Sequence, residues 1–179
     1  MQILKEEVPG QFLGLLELQD LDFAGIDELL EETSKDGIQM LPVNKKVLYE
    51  RLNNEAPQVI MMIGEEVVGY CAMTQEYKKE DGDSSTVHEI GSLIVDPNYR
   101  GEGIAHKLVS AMTDYLLSLG ANQIIAFCNP DSEAIFIDSG YEIQNPNNFP
   151  GAIFEPCAQC PKKPESGGCC DSILGISNI

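Results

Sequence analysis

Apolar and polar positions alternate along this chain in two distinct rhythms. Residues 12–18 (FLGLLEL) are apolar and fit either a first strand or the start of a helix. Over 20–32, Leu21, Ile26, Leu29 and Leu30 recur at roughly helical steps with acids between them, which predicts a helix. Gly37 and Pro42 break the pattern. Val47, Leu48 and Leu52 then form one stripe of a short helix over 44–53. Two apolar runs, 58–63 and 66–74, meet at Gly64-Glu65 and predict a β-hairpin. The charged stretch 76–85 reads as a solvated loop, and a long strand follows over 86–95, ended by Asp96-Pro97-Asn98. From about 102 to 119, Ile104, Leu108, Met112, Tyr115 and Leu119 repeat at steps of three and four, giving a helix with one apolar face. Gly120 stands where that helix should stop. Residues 123–128 predict a buried strand. Asn129-Pro130 supplies a cap and a favoured first residue for a helix ending at Gly140. Residues 141–143 and 152–155 are candidate final strands. The order of elements predicts an α/β domain with a mixed sheet.

Composition narrows the partners. At 179 residues one domain is expected, and a domain of this size buries ~70% of its unfolded surface without help from disulfides or metal. Twenty-nine acidic residues against 11 basic ones give a net charge of −18. Nucleic acid is excluded as a partner, because such binding needs Lys and Arg to displace counterions from phosphates. Anionic membranes are excluded on the same ground, and the surplus acid reads as solubility. MQILKEEVPG has no basic flank or long apolar core, so no signal peptide is expected. Apolar runs such as Val59–Ile63 fall far short of the ~20 residues of a membrane span. These features together predict a soluble, cytoplasmic protein.

Six cysteines divide into two groups. Cys71 and Cys128 lie in apolar stretches and are expected to be buried thiols. Cys157, Cys160, Cys169 and Cys170 crowd near the end of the chain, which suggests a main domain over 1–150 and a Cys-rich tail over 151–179. Four thiolates can hold zinc tetrahedrally. Cys169 and Cys170 are adjacent, however, so one of them with Cys157, Cys160 and a fourth group is an equal alternative, and a metal-free tail is another.

The segment with the most chemical content runs from Val95 through Arg100-Gly101-Glu102-Gly103-Ile104-Ala105. It joins a strand to a helix through a glycine-rich turn. The first turn of a helix has backbone N–H groups without partners and carries partial positive charge. Glycines there let an anion reach the backbone. Arg100, His106 and Lys107 add positive charge in an acidic chain.

Arg100-x-x-Gly103-x-Ala105, after a strand ending Leu93-Ile94-Val95-Asp96-Pro97, resembles the signature of the GNAT acyl-CoA N-acetyltransferase superfamily. Asn129, Ala134, Gly140 and Tyr141 match a second segment of that family, and the resemblance spans roughly residues 20–145. It implies a GNAT fold: a mixed, mostly antiparallel sheet flanked by helices, here followed by the Cys-rich C-terminal tail. It also implies acetyl-CoA as cosubstrate, with zinc in the tail as a separate reading. The backbone of Leu93, Ile94 and Val95 would pair with the pantetheine arm. Backbone N–H groups of Arg100, Gly101, Glu102, Gly103, Ile104, Ala105 and His106 would hold the pyrophosphate, and Asn129 would meet the far end of the cofactor. Glu89, eleven residues before Arg100, occupies the position of the general base in some branches, with His88 as its rival. Backbone N–H near Ile94 or Val95 would stabilise the oxyanion. Phe136 stands where many members carry a Tyr that protonates the leaving thiolate, and it has no proton to give.

The implied function is transfer of an acetyl group to a primary amine, on a small molecule or a peptide N-terminus, by direct attack; the chain is free to be a homodimer. Two alternatives stay open: a CoA-binding regulatory domain without turnover, and an interaction module that uses the metal or thiols of the tail. Gly37-x-x-Met40-Leu41-Pro42 and the late cysteines also resemble small N-acetylglutamate-synthase-like members, which usually carry a basic residue where Val43 stands. Val43 leaves an amino-acid acceptor unsupported by this resemblance, and a cationic acceptor such as a polyamine, an aminoglycoside or a basic N-terminus suits the acidic surface as well.

Overall fold

A computed structural model describes residues 1–31, 43–78, 86–149, 151–155 and 172–177. The elements run β1 (Gln2–Val8), β2 (Gln11–Leu15), α1 (Ile26–Glu31), α2 (Lys45–Asn53), β3 (Gln58–Ile63), β4 (Glu66–Lys78), β5 (Thr86–Val95), α3 (Ile104–Ser118), β6 (Gln123–Cys128), α4 (Pro130–Asp138), β7 (Glu142–Ile143) and β8 (Ser172–Ser177). The strands form one sheet in the order β1-β2-β3-β4-β5-β6-β8-β7. All neighbours are antiparallel except β5 and β6, which are parallel. Parallel strands need a crossover, and α3 supplies it.

Strand alternation gives the sheet two buried faces. On one face, Val59 and Met61 of β3 meet Leu108, Val109 and Met112 of α3 and Phe136 of α4. On the other, Ile60 and Met62 meet Ile26, Leu29 and Leu30 of α1 and Leu48 of α2. Further along this second face lies a third cluster, in which Phe149 and Ile153 cover Tyr77, Val87, Ile125 and Ile173. Each fully buried side chain of this size contributes ~1.5–3 kcal/mol. Gly69 sets how closely α3 approaches: a Cβ there would lie 2.9 Å from both Ile104 Cγ2 and Leu108 Cδ1. Among the described residues no helix is long and apolar enough to cross a membrane.

The hairpin, the long strand, α3, β6 and α4 stand where the apolar pattern predicts them. The differences have physical reasons. β1 went unpredicted because it is an edge strand with polar residues at most positions, and its Ile3 is exposed. The run at 12–18 resolves as a strand. The helix expected over 20–32 starts only at Ile26, because Ala24 is pinned to β4 by the bond from Val67 N–H to its carbonyl. β4 extends to Lys78 and so takes up the start of the supposed charged loop; residues 79–85 lie outside the described residues. Residues 151–154 form a 3-10 turn and not a strand, with Ile153 buried.

β8, which the apolar pattern did not assign, fills the place between β6 and β7. Its Leu174 is fully buried in the α3 face. The boundary expected after residue 150 therefore has a strand of the sheet on its far side. Leu174→Ala is expected to cost ~2–5 kcal/mol, the range for a buried leucine, read by urea unfolding. A loss below ~0.5 kcal/mol would place Leu174 outside the core.

Candidate active site

The site begins where β5 and β6 part. Their parallel pairing runs from Val87↔Gln123 to Glu89↔Ile125. Beyond it β5 continues to Val95 and β6 to Cys128 as separate edges of a wedge. A bulge on the other side of β5 starts the divergence. Tyr70 pairs with Ile94 and Ala72 with Gly91, so Ser92 and Leu93 together oppose Cys71. A bulge bends its strand and raises its twist. Ser92 has φ +53°, a conformation that costs a non-glycine residue energy. Its hydroxyl accepts a 3.0 Å bond from Arg51 Nη2 on α2, which holds the bulge from the opposite layer. Leu93 and Val95 pack toward α3, and Ile94 toward α1 and α2. The β6-facing edge of 93–95 is left as a template for an extended ligand.

The chain then turns into the α3 N-terminus. Asp96 Oδ1 accepts from Asn98 N–H at 2.7 Å and shapes a 3-10 turn over Pro97–Tyr99. Arg100 Nε donates to Val95 O at 3.1 Å, folding this exposed residue back on the strand. Gly101 has φ +84° and Gly103 φ +75°, and a Cβ on either would meet nothing within 4 Å. The glycines are therefore required by conformation, and the space above the backbone is open, as an incoming pyrophosphate needs. Gly103 is the N-cap of α3 and no side chain caps the helix. The N–H groups of Ile104, Ala105 and His106 belong to this first turn. Ile104 is buried and anchors the turn against Gly69. His106 Nε2 lies 3.6 Å from Asp138 Oδ2 on α4, and Glu102 is exposed.

The expected cofactor residues from Leu93 to His106 are thus contiguous along one strand end, turn and helix start. Asn129 follows the end of β6, on the other arm of the wedge. Its side chain accepts from Ser132 N–H at 2.9 Å while Ser132 Oγ accepts from Asn129 N–H at 3.1 Å, a reciprocal cap of α4.

Glu89 occupies the last paired position before the wedge opens. By alternation it shares the face of Val87, in the seam between the α1/α2 cluster and the third cluster. Tyr77 Oη donates to Glu89 Oε2 at 3.1 Å. Burial pushes the carboxyl pKa up, while bonds from Thr74 and Tyr77 and the charge of Arg51 pull it partly back. The net shift is upward, toward the range of a base that works near neutral pH. His88 is on the opposite face, its Nε2 3.4 Å from Glu76 Oε2 and its buried Nδ1 without a partner among the described residues.

Sequence reasoning missed Arg51, Thr74, Tyr77 and Ser92. Tyr77 and Glu89 lie on paired strands two residues out of register, which only the β4–β5 pairing reveals. Arg51 carries no local sign that distinguishes it from a solvated helix residue. Cys71 and Cys128 are fully buried as expected, and burial pushes each thiol up to about 12. Phe136 is buried edge-on against Tyr141, whose hydroxyl is 2.6 Å from Thr113 Oγ1 in the core. Cys157, Cys160, Cys169 and Cys170 lie outside the described residues, among which no group of three or more His, Cys, Asp or Glu could hold a metal.

A wedge between parallel strands thus opens onto a glycine-bounded helix N-terminus. The chain belongs to the acetyltransferase (GNAT) family, whose model matches residues 23–136. A comparison with curated proteins gives no match. Solved structures share the fold. One is the ribosomal-protein-alanine N-acetyltransferase of Brucella melitensis, with TM-score 0.66 and 17% identity over 93% of this chain and 99% of that one. A GNAT family N-acetyltransferase from Escherichia coli in complex with CoA has TM-score 0.62 and 18% identity over 97% and 84%. N-acetylglutamate synthase from Neisseria gonorrhoeae, complexed with coenzyme A and N-acetyl-glutamate, has TM-score 0.66 and 16% identity over 97% and 36%.

Gly103→Val puts a branched side chain on a φ of +75° and into the open space above the turn. It is expected to cost ~1–3 kcal/mol of stability and to remove CoA binding in a folded protein. Calorimetry that finds the native CoA affinity in the variant would contradict a phosphate seat here.

Proposed function

We propose that this chain transfers the acetyl group of acetyl-CoA to a primary amine, on a small molecule or a peptide N-terminus, by direct attack. The observation that carries this reading is the position of Glu89: a half-buried carboxylate at the point of the wedge, on the same strand whose free edge would hold the thioester arm. An amine of pKa ~10 is mostly ammonium at pH 7. Glu89 accepts one proton of the ammonium and passes it to solvent, the freed nitrogen forms the new bond to the thioester carbon, and the carbon–sulfur bond breaks with the electron pair going to sulfur. The second proton, now on the positively charged nitrogen of the adduct, leaves to solvent or to the departing thiolate, which gives the amide. Backbone N–H near Ile94 and Val95 would receive the oxyanion that forms between these steps.

Direct attack is supported by the described thiols. Cys71 and Cys128 are fully buried and held as neutral thiols, which disfavours a covalent acyl intermediate on either. Phe136 offers no proton to the departing sulfur, but a thiol of pKa ~8.5 leaves adequately as a thiolate near neutral pH. The same phenylalanine favours the second reading, CoA binding without turnover. An amine panel scored by release of free thiol separates the two. The coenzyme A and N-acetyl-glutamate bound in the N-acetylglutamate synthase neighbour support the first.

Glu89→Gln is expected to lower turnover ~10²–10⁴-fold with CoA affinity unchanged. The loss should shrink as pH approaches the pKa of the amine, where free amine exists unaided. In the native protein the acid limb of the rate profile should lie above the ordinary carboxyl value of 4.5, because the folded pKa is raised. The same shift has a consequence for stability. The folded chain holds the Glu89 proton to higher pH than the unfolded chain does, so stability falls as pH rises from the unfolded value through the folded one. Glu89→Gln removes that fall, so the variant should be no less stable than the native protein at pH 8. Full activity of the variant at pH 7 would return Glu89 to a structural role.

A further inference from the structure

Arg51 is a half-buried cation without an ionic partner among the described residues. Its Nη1 donates to Tyr70 Oη at 2.8 Å and its Nη2 to Ser92 Oγ at 3.0 Å. Both acceptors are neutral: burial pushes the Tyr70 phenol up to about 12, and its hydroxyl donates onward to Gln58 Oε1. Gln58 in turn donates to Leu48 O on α2, so the guanidinium is braced at a fixed position over β4 and β5. Among the described residues Arg51 makes no ion pair, although the chain has 29 acidic residues. The carboxylate whose pKa it lowers is Glu89. A guanidinium has five donors in one plane, and the two bonds in place leave capacity for a further acceptor.

We infer that Arg51 receives a carboxylate of the acceptor, so that the acceptor is an amine carrying a carboxylate close to its nitrogen, most simply an α-amino acid. This rests on the acetyl-transfer reading above. Charges then match one for one, with the ammonium against Glu89 and the carboxylate against Arg51. A polyamine would place a second cation beside Arg51 and leave its charge uncompensated. The scale agrees as well. Glu89 and Ser92, the anchor of Arg51, are three residues apart on β5, ~10 Å of strand. An α-amino acid with one hydrogen bond of ~3 Å at each end spans a similar length. The α2 helix that carries Arg51 thereby ties the acceptor to the strand that carries the thioester arm.

The test uses the full chain with matched sets, each an L-amino acid, its amide and its decarboxylated amine. Thiol release with acetyl-CoA and calorimetric binding to the CoA-loaded protein are measured in parallel. The acid should be preferred over amide and amine by ~10–10²-fold in kcat/KM, the worth of a charge-assisted hydrogen bond. Arg51→Gln should bring the ratio of acid to amide and amine close to one by lowering the value for the acid most. Because Arg51 also braces the Ser92 bulge, any loss common to the three acceptors is divided out by comparing their ratios within the variant. Arg51→Lys should keep part of the preference, and it serves in place of Arg51→Gln if that variant does not fold. Equal turnover of acids and amines by the native protein would overturn the inference and leave acetyl transfer intact. So would an equal loss on all acceptors in Arg51→Gln, which would make Arg51 a brace for the bulge only. Carboxylate-dependent binding without thiol release would uphold Arg51 and overturn acetyl transfer. Preference for a polyamine would overturn Arg51 alone.

Discussion

Backbone N–H and C=O groups in a folded chain must find partners, and among the described residues β5 finds a strand partner along its full length on one side only. On its β4 side it is paired to Val95; on its β6 side pairing ends at Glu89. The bulge at Ser92 and Leu93 makes this possible by bending β5 away while its other edge stays bonded. The strained φ of Ser92 is compensated by the bond from Arg51. The remaining features of the site take their places from this parting. α3 starts at the open end of the wedge, Glu89 marks its closed end, and Asn129 stands on the far arm.

The site is held by layers that pack independently. Gly69 lets Ile104 and Leu108 sit close on β4, which fixes the first turn of α3 relative to the strand edge. From the other face, α2 reaches the same strand through Arg51, Tyr70 and Gln58. The acidic surface and the site obey different electrostatics. Exposed acids are screened and mainly confer solubility. Glu89 is partly desolvated, so its charge is costly unless something nearby answers it, and that tension suits it to the base role proposed for it.

How much could be read from the sequence follows from how local each signal is. Asp96-Pro97, the paired glycines 101 and 103 and the stripe of Ile104, Leu108 and Met112 are local signals, and they place the turn and α3 correctly. Asn129-Pro130 is local too, and it caps α4 as its chemistry requires. β1 was not legible because an edge strand has no strict apolar face, and β8 because its short run follows a long stretch of loop-like composition. Arg51 and Tyr77 were invisible for a different reason. Their significance depends on a bulge and on a cross-strand register, and both arise only when distant segments pair.

The central claim is that the free edge of β5 and the start of α3 form one continuous backbone seat for acetyl-CoA. Amide hydrogen exchange with and without CoA tests it most directly, because it reads the backbone groups themselves. CoA should slow exchange over 93–95 and over 101–106 together, with little change in β1 to β3. Protection confined to other segments, or absent while CoA is bound, would contradict the account.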